Sequence, residues 1–426
     1  MDPGLYAERA PSPCTMVNQC RLCRSTRLST ALALPSTPPA NAFQKTAQTA
    51  CKLERFPLYM LRCSTCGHHQ LSCSVDPKVL FSDYVYASGT SAVFRAHFEE
   101  YARTIRRRTE NSGLALELGS NDGTMLQALR DGGFSQVLGV EPANGLAERA
   151  NERGLHTLNR FFGVSAAELI REEYGCADVW TANNVLAHVP DFVGTLQALH
   201  HCTKPNTLGV FEVQYLASMV EGGMFDLVYH EHLDYWLLTE LVRWLPKTTG
   251  WSVFDVQQIP THGGSLRVWL QSVESMLPLI QTPAVETLVR QEAFHDWASR
   301  VDTELMRKMQ HARLELMSLL PEQDSVTGQT GTVAYGAPAK LCTLVEAFGL
   351  ANRIDYVVDD SPLKMGLFAP GSGLEVRSPT VLNDTANPPK RVLITAWNFA
   401  DSIVKKLRDA GLTCPIIVPF PQVRVL

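Results

Sequence analysis

An apolar run of 18 residues, a sustained basic tract and a glycine-rich phosphate loop of the dinucleotide type are all missing from this chain. Each absence removes a class of function. Without the first, no segment reads as a membrane-spanning helix. Met1-Asp2-Pro3-Gly4 lacks the charged-then-apolar layout of a secretory signal, so a cytoplasmic chain with no membrane partner is expected. The net charge is −5, and the longest cationic run is Arg106-Arg107-Arg108. A nucleic-acid backbone finds no field to hold it, and nucleic acid is not an expected partner. Charged residues are sparse at 19% against 45% hydrophobic, a globular composition that at 426 residues is long enough for two or three domains.

Cysteine, in contrast, is concentrated, with seven of the eleven in the first 73 residues. Such clustering argues for metal rather than disulfides. Cys20-x-x-Cys23 and Cys63-x-x-Cys66 are knuckle-spaced pairs, and four thiolates close a tetrahedral zinc site with no open position, which makes the site structural. The 39 residues between the pairs exceed the usual ribbon loop, and His68, His69 or Cys73 stands near enough to replace one ligand. Free buried thiols are the plain alternative. Residues 1–80, with Pro35, Pro38, Pro39 and Pro57 and little sustained periodicity, read as a small module that needs its metal to fold.

From residue 81 to 282 an α/β pattern is expected: a helix over 90–109, then strands at Leu114–Leu118, Val137–Val140, Asp178–Ala182, Thr207–Val213 and Leu266–Leu270. Residues 283–324 contain a charged helical spacer. A second, smaller Rossmann-like unit fills 325–426, with strands at Thr332–Tyr335, Ile354–Val358, Val392–Thr395 and Ile416–Val418.

The first strand runs into Glu117-Leu118-Gly119-Ser120-Asn121-Asp122-Gly123, and a second apolar run ends in Glu141. A pyrophosphate needs glycines and bare N–H groups, and this loop instead offers carboxylates and an amide. Those suit the cationic amino-acid end of S-adenosylmethionine, while Glu141 is placed to grip both hydroxyls of a ribose. The alternative is a strand–turn–helix without ligand. Asn183 and Asn184 stand at the carboxyl end of a later strand, the ligand edge of such sheets, with His188 one helical turn on; as plain structure they cap a helix.

Tyr229-His230-Glu231-His232 gathers a phenol, a carboxylate and two imidazoles. Metal binding would put His230 and His232 on one face of a strand but finds no third ligand nearby, so general acid–base work fits better; a hydrogen-bonded polar cluster is the bland reading. His262-Gly263-Gly264-Ser265-Leu266-Arg267 is either an anion-binding turn, with Arg267 supplying charge, or a glycine turn only. Lys340, opening a helix after Gly336, is either a diphosphate contact or a surface lysine.

In order along nearly the whole chain, these segments, together with Phe81 to Tyr86 and Ala396-Trp397-Asn398, resemble the three-domain sugar C-methyltransferases that act on nucleotide-linked ketosugars. The resemblance implies an N-terminal zinc module, a central S-adenosylmethionine domain whose donor residues include Asn183, and a C-terminal domain over the nucleotide. It also implies that His232 is the general base, supported by Tyr229, Glu231, Asn184, His188 and a tyrosine at Tyr84 or Tyr86. A C4 ketone acidifies the C3 proton, and the enolate oxygen needs hydrogen-bond donors while C3 attacks the methyl. The chain departs from the family at Asp360 and Leu367, where positive charge is usual, and at Leu341, where a small residue is usual. The alternatives are an O- or N-methyltransferase with the same donor, or a zinc-ribbon adaptor without catalysis.

Overall fold

The computed structural model describes residues 13–81, 89, 92–384 and 388–426. Tyr84 and Tyr86 therefore lie outside the described residues. In chain order the strands are β1 (Cys14–Met16), β2 (Leu28–Thr37), β3 (Phe56–Cys63), β4 (His69–Leu71), β5 (Cys73–Val75), β6 (Leu114–Leu118), β7 (Gln136–Val140), β8 (Thr157–Leu158), β9 (Ala177–Asn183) and β10 (Thr203–Gln214). They continue as β11 (Asp234–Tyr235), β12 (Trp251–Ile259), β13 (Ser265–Ser272), β14 (Thr332–Tyr335), β15 (Tyr356–Val358), β16 (Val376–Arg377), β17 (Arg391–Ile394), β18 (Ile416–Val418) and β19 (Arg424–Val425).

The central sheet has the order β12-β13-β10-β9-β6-β7-β8, parallel except for β13, which runs antiparallel to both neighbours. Every residue of β6 is buried, as expected of a strand covered on both faces. The helix Ala92–Arg108 buries Phe94, Phe98, Tyr101, Ala102 and Ile105, the i, i+4, i+7 stripe that packs it against Ala115, Val179, Val210 and Trp269 of the sheet. Strand order reverses at β6, so the carboxyl ends of β6 and β9 flank a crevice where ligands bind such sheets. The second sheet, β16-β15-β14-β17-β18-β19, is parallel except for β19 and has its own reversal at β14.

The N-terminal module has more structure than its sequence suggests. The 39 residues between the cysteine pairs hold most of a long antiparallel hairpin, β2 with β3, whose register shifts twice. Its four-stranded sheet, β11-β4-β3-β2, is completed by β11, supplied from the central part of the chain. The clustered cysteines also divide: Cys14 and Cys73 form a disulfide, which removes Cys73 as a ligand and corrects the expectation of metal alone.

The expected spacer helix is broken and packed. Helix Pro283–His295 stops at Asp296, whose φ of 48° is left-handed, and α-helix resumes at Met306–Leu319 after a short π-turn. Glu292 is buried and accepts from the N–H groups of Leu238 and Thr239, at 2.7 and 2.8 Å. It satisfies the start of helix Leu238–Thr248, whose preceding Leu237 provides no side-chain cap.

Candidate active site and zinc centre

The two cysteine knuckles have the same shape. In each, the fourth residue after the first cysteine is left-handed, Arg24 at φ 62° and Gly67 at φ 87°, and its N–H returns 2.9 Å to the first cysteine's carbonyl. The sulfurs of Cys20 and Cys66 lie 3.5 Å apart, those of Cys23 and Cys63 3.6 Å, and all four within 4.8 Å. A tetrahedron with Zn–S bonds of about 2.3 Å has edges of roughly 3.8 Å, so the set fits a structural Zn2+. The neighbouring histidines face elsewhere: His68 bridges Asp234 and Glu240 at 2.9 and 3.0 Å, and His69 is buried in β4.

At the β6 switch point, Gly119 (φ 62°), Asn121 (φ 51°) and Gly123 (φ 79°) alternate left-handed backbone through the turn. A Cβ on Gly119 would come within 2.3 Å of Val185, so only glycine fits there. Glu141 Oε2 accepts from Asn121 N–H and Oε1 from Ala143 N–H, both at 2.9 Å, and each oxygen keeps a lone pair for a ribose hydroxyl. Pro142, Phe161 and Phe162 add an apolar wall beside it, which the sequence reading did not single out.

Glu117 is buried near the carboxyl end of β6 and does not itself line the cavity. Its Oε1 accepts from Asn183 Nδ2 at 3.2 Å, while its buried Oε2 has no hydrogen-bond partner among the described residues. Burial, with Asp122 and Glu141 adding repulsion, pushes its carboxyl well above the usual range. Two carboxylates at this end, Glu117 and Glu141, suit a cationic donor better than a pyrophosphate. Asp122 itself is turned away, accepting from Thr124 Oγ1 at 2.6 Å and from Gly89 N–H at 2.9 Å, so it organises the start of helix Thr124–Asp131. Ser120 and Gly123 likewise pack behind the loop, against Gly139 and Leu155.

A cavity of about 620 Å³ runs from Gly119, Asn121 and Glu141 past Asn183, Asn184 and His188 to Tyr229 and His232. It ends at Lys340, Lys364 and Asn398 of the C-terminal unit. His232 Nδ1 donates to Leu227 O at 2.8 Å, which fixes the tautomer, and Tyr229 Oη donates to Nε2 at 2.8 Å. The His188 ring is 5.1 Å from that of His232. His262, left-handed at φ 54°, joins them on the cavity wall. Burial pulls His232 and His262 down to about 4, and His188 well below its ordinary value, so all three imidazoles are neutral.

Several expected site residues have other places. His230 points away from His232, donating to Pro57 O at 3.2 Å, so the two share no metal. Glu231 turns to the zinc module, accepting from Asn41 Nδ2 at 2.7 Å. Arg267 does not reach the cavity: it is buried, its guanidinium bonds Glu212 at 2.6 Å and stacks 3.6 Å over Tyr101, so its charge is already neutralised. Gly263 and Gly264 make room for Trp397 and Ser218, and Ser265 Oγ returns to Thr261 O at 3.1 Å. The loop is a packing turn that leaves only His262 at the cavity. Lys340, expected at the diphosphate or the surface, is 6% exposed on the cavity wall, its Nζ 2.6 Å from Asn398 Oδ1. Lys364 and Asn41 were missed, being single residues whose place is set by partners far along the chain, and Asn398 was read only as part of the Ala396-Trp397-Asn398 motif, with no site role.

No helix among the described residues is long and apolar enough to cross a membrane. A solved SAM-dependent methyltransferase from Anabaena variabilis is 13% identical, with a TM-score of 0.35, over 43% of this chain and 86% of its own. The ubiquinone biosynthesis O-methyltransferase of Leptothrix cholodnii is 25% identical over 39% of this chain and 75% of its own. Three family models tile the sequence: "Putative zinc binding domain" over residues 20–81, "Methyltransferase domain" over 93–256 and "C-methyltransferase C-terminal domain" over 260–421. C-methyltransferase NovU of Streptomyces niveus is 30% identical over 419 residues, 96% of this chain and 97% of its own. The chain belongs to the three-domain C-methyltransferase family, as an S-adenosylmethionine-dependent enzyme with a structural zinc module.

Proposed function

We propose that the chain methylates the carbon next to the ketone of a nucleotide-linked ketosugar, through an enolate formed by a buried base. The observation that carries this reading is the continuity of one cavity. It joins the acidic donor turn, the neutral Tyr229–His232 pair, and two lysines whose ammonium groups bond to Asn398 Oδ1 and Ala337 O rather than to a carboxylate.

The residue roles follow from their atoms. His232 Nδ1 is committed to Leu227 O, so Nε2 holds the lone pair that takes the carbon-bound proton. The Tyr229 hydroxyl turns from Nε2 to the ketone oxygen, where His188 and Asn184 add donors as negative charge collects there. Burial lowers the basicity of His232, and an imidazolium beside an enolate in the same low-dielectric pocket restores it. Bound S-adenosylmethionine supplies an electrophilic methyl. The enolate carbon takes that methyl, and the captured proton leaves to solvent. Glu117, Glu141 and Asn183 hold the donor, and Lys340 and Lys364 meet the diphosphate. A cytoplasmic setting belongs to the same reading.

The test is exchange and turnover in D2O with a panel of nucleotide-linked ketosugars. Deuterium entering the carbon next to the ketone of the unmethylated ketosugar, recovered after incubation with S-adenosylhomocysteine in place of the donor, is the expected result in wild type, and its loss is expected in His232→Asn. A methyl group on oxygen or nitrogen with no C–H exchange would replace this reading with simple heteroatom methylation.

A further inference from the structure

Asp226, which the reaction above does not use, lies in the short turn Phe225–Leu227 and is wholly buried. Its Oδ2 accepts from Trp397 Nε1 at 2.7 Å, and its Oδ1 has no hydrogen-bond partner among the described residues. The Trp397 ring carries the Lys340 ammonium 3.7 Å from its centroid, and that ammonium donates to Asn398 Oδ1. A carboxylate, an indole and a buried cation thus stand in line across the junction of the central and C-terminal units. A carboxylate accepting from the indole N–H enriches the ring electronically, and a richer ring holds a cation more strongly.

We propose that Asp226 is a positioning residue for substrate: through Trp397 it keeps the Lys340 ammonium charged and directed into the cavity. The proposal rests on the reading that Lys340 meets an anionic diphosphate. The charged or titratable groups acting on Lys340 are Asp226 from the turn, His232 from the loop that follows and His262 from the packing turn; only Asp226 is acidic. Burial pulls Lys340 down to about 8 with Asp226 opposing the fall, and burial pushes Asp226 up to about 6 with Lys340 and the indole opposing the rise. Between those values both groups are charged. Without the carboxylate, the same burial drives Lys340 towards its neutral form at lower pH.

The experiment is calorimetric titration of the zinc-loaded full chain with the diphosphates of uridine, thymidine, guanosine and adenosine from pH 6.5 to 9. The tightest of the four is then followed in Asp226→Asn, Lys340→Arg and the double variant, with S-adenosylhomocysteine binding as the check on folding. Asparagine keeps an acceptor for the indole, so the change isolates charge. Wild-type affinity should fall above about pH 8. Asp226→Asn should lose affinity at lower pH, reaching about five- to tenfold weaker binding at pH 8. Arginine stays protonated throughout, so Lys340→Arg should flatten the profile and the double variant should match it. If Asp226→Asn follows the wild-type curve, or is weaker by one factor at every pH and is not rescued by arginine, Asp226 is only interdomain packing. If Asp226→Asn fails to fold, a Lys340→Arg profile that still falls above pH 8 overturns the proposal by itself. Wild type that binds S-adenosylhomocysteine and none of the diphosphates overturns the underlying reading of Lys340, and this proposal with it.

Discussion

Replacing Glu141 with glutamine should damage donor binding and folding together, because its two oxygens are committed in the same way. Each accepts one backbone N–H at 2.9 Å, from Asn121 on one side and Ala143 on the other. An amide has only one accepting atom. Whichever way it is turned, its NH2 group faces one of those N–H groups, and a buried donor without a partner costs about 1–3 kcal/mol. The ribose hydroxyls meanwhile lose a charged acceptor, worth about 1.5–3 kcal/mol for one bond. Stability should therefore drop by about 1–3 kcal/mol in urea unfolding, and S-adenosylhomocysteine affinity by roughly 10- to 150-fold, equivalent to about 1.5–3 kcal/mol. Isothermal titration calorimetry beside urea unfolding reads both. Affinity within threefold of wild type would refute the ribose assignment, and unchanged stability would refute the double backbone contact from which the penalty is worked.

Arg267→Met should act on folding and not on substrate, leaving Glu212 with only His97 and costing about 3–5 kcal/mol of stability at unchanged nucleotide affinity; the reverse pattern would restore Arg267 to the site. Acid should destabilise the fold through His188, His230, His232 and His262, all held neutral by burial. Their folded values lie below the ordinary histidine range, so the stability they confer is complete above about pH 6.5 and is lost as pH falls towards 4, by about 1.4 kcal/mol per pH unit for each group. A flat unfolding free energy between pH 6.5 and 4.5 would contradict their burial as neutral rings. Atomic absorption should find one zinc per chain, and chelation should abolish turnover as the module loosens; full turnover from metal-free protein would separate the module from catalysis.

What the sequence shows well is what it encodes locally. The turn after β6, the paired cysteines and the Tyr229–His232 cluster each lie within a few residues, and buried parallel strands stand out as mostly apolar runs. What it hides depends on distant partners. Arg267 looks like a free cation until Glu212, 55 residues away, is found beside it. Gly263 looks like a ligand loop until Trp397 fills the space above it. The β2–β3 hairpin escapes a period-two reading because two register shifts interrupt the alternation, and Pro35 argues against a strand although β2 is a sheet edge, where proline is tolerated. Lys364 carries no local signal; only the fold brings its ammonium to Ala337 O, 27 residues back along the chain.

The same dependence on distant partners explains why three units surround one reaction site. Residues 224–235 contain little regular structure and are almost entirely buried, a combination that leaves backbone groups to be satisfied from outside. The C-terminal unit takes the first part, through Trp397 on Asp226 and Thr343 Oγ1 on Val228 O. The zinc module takes the second part: Pro57 O holds His230, Asn41 holds Glu231, Leu71 N–H and Arg21 reach Leu233 O, and β4 pairs with Asp234 and Tyr235. The central unit contributes Ala187 O to Leu233 N–H. Tyr229 and His232 are the two residues in this stretch whose side chains are left to face the cavity from the Tyr-His-Glu-His cluster, because their neighbours are claimed on either side. A zinc ion outside the cavity therefore bears on the geometry of His232, since the sheet it staples is the one that β11 completes. Neither flanking unit can be removed without releasing one end of the loop that carries Tyr229 and His232.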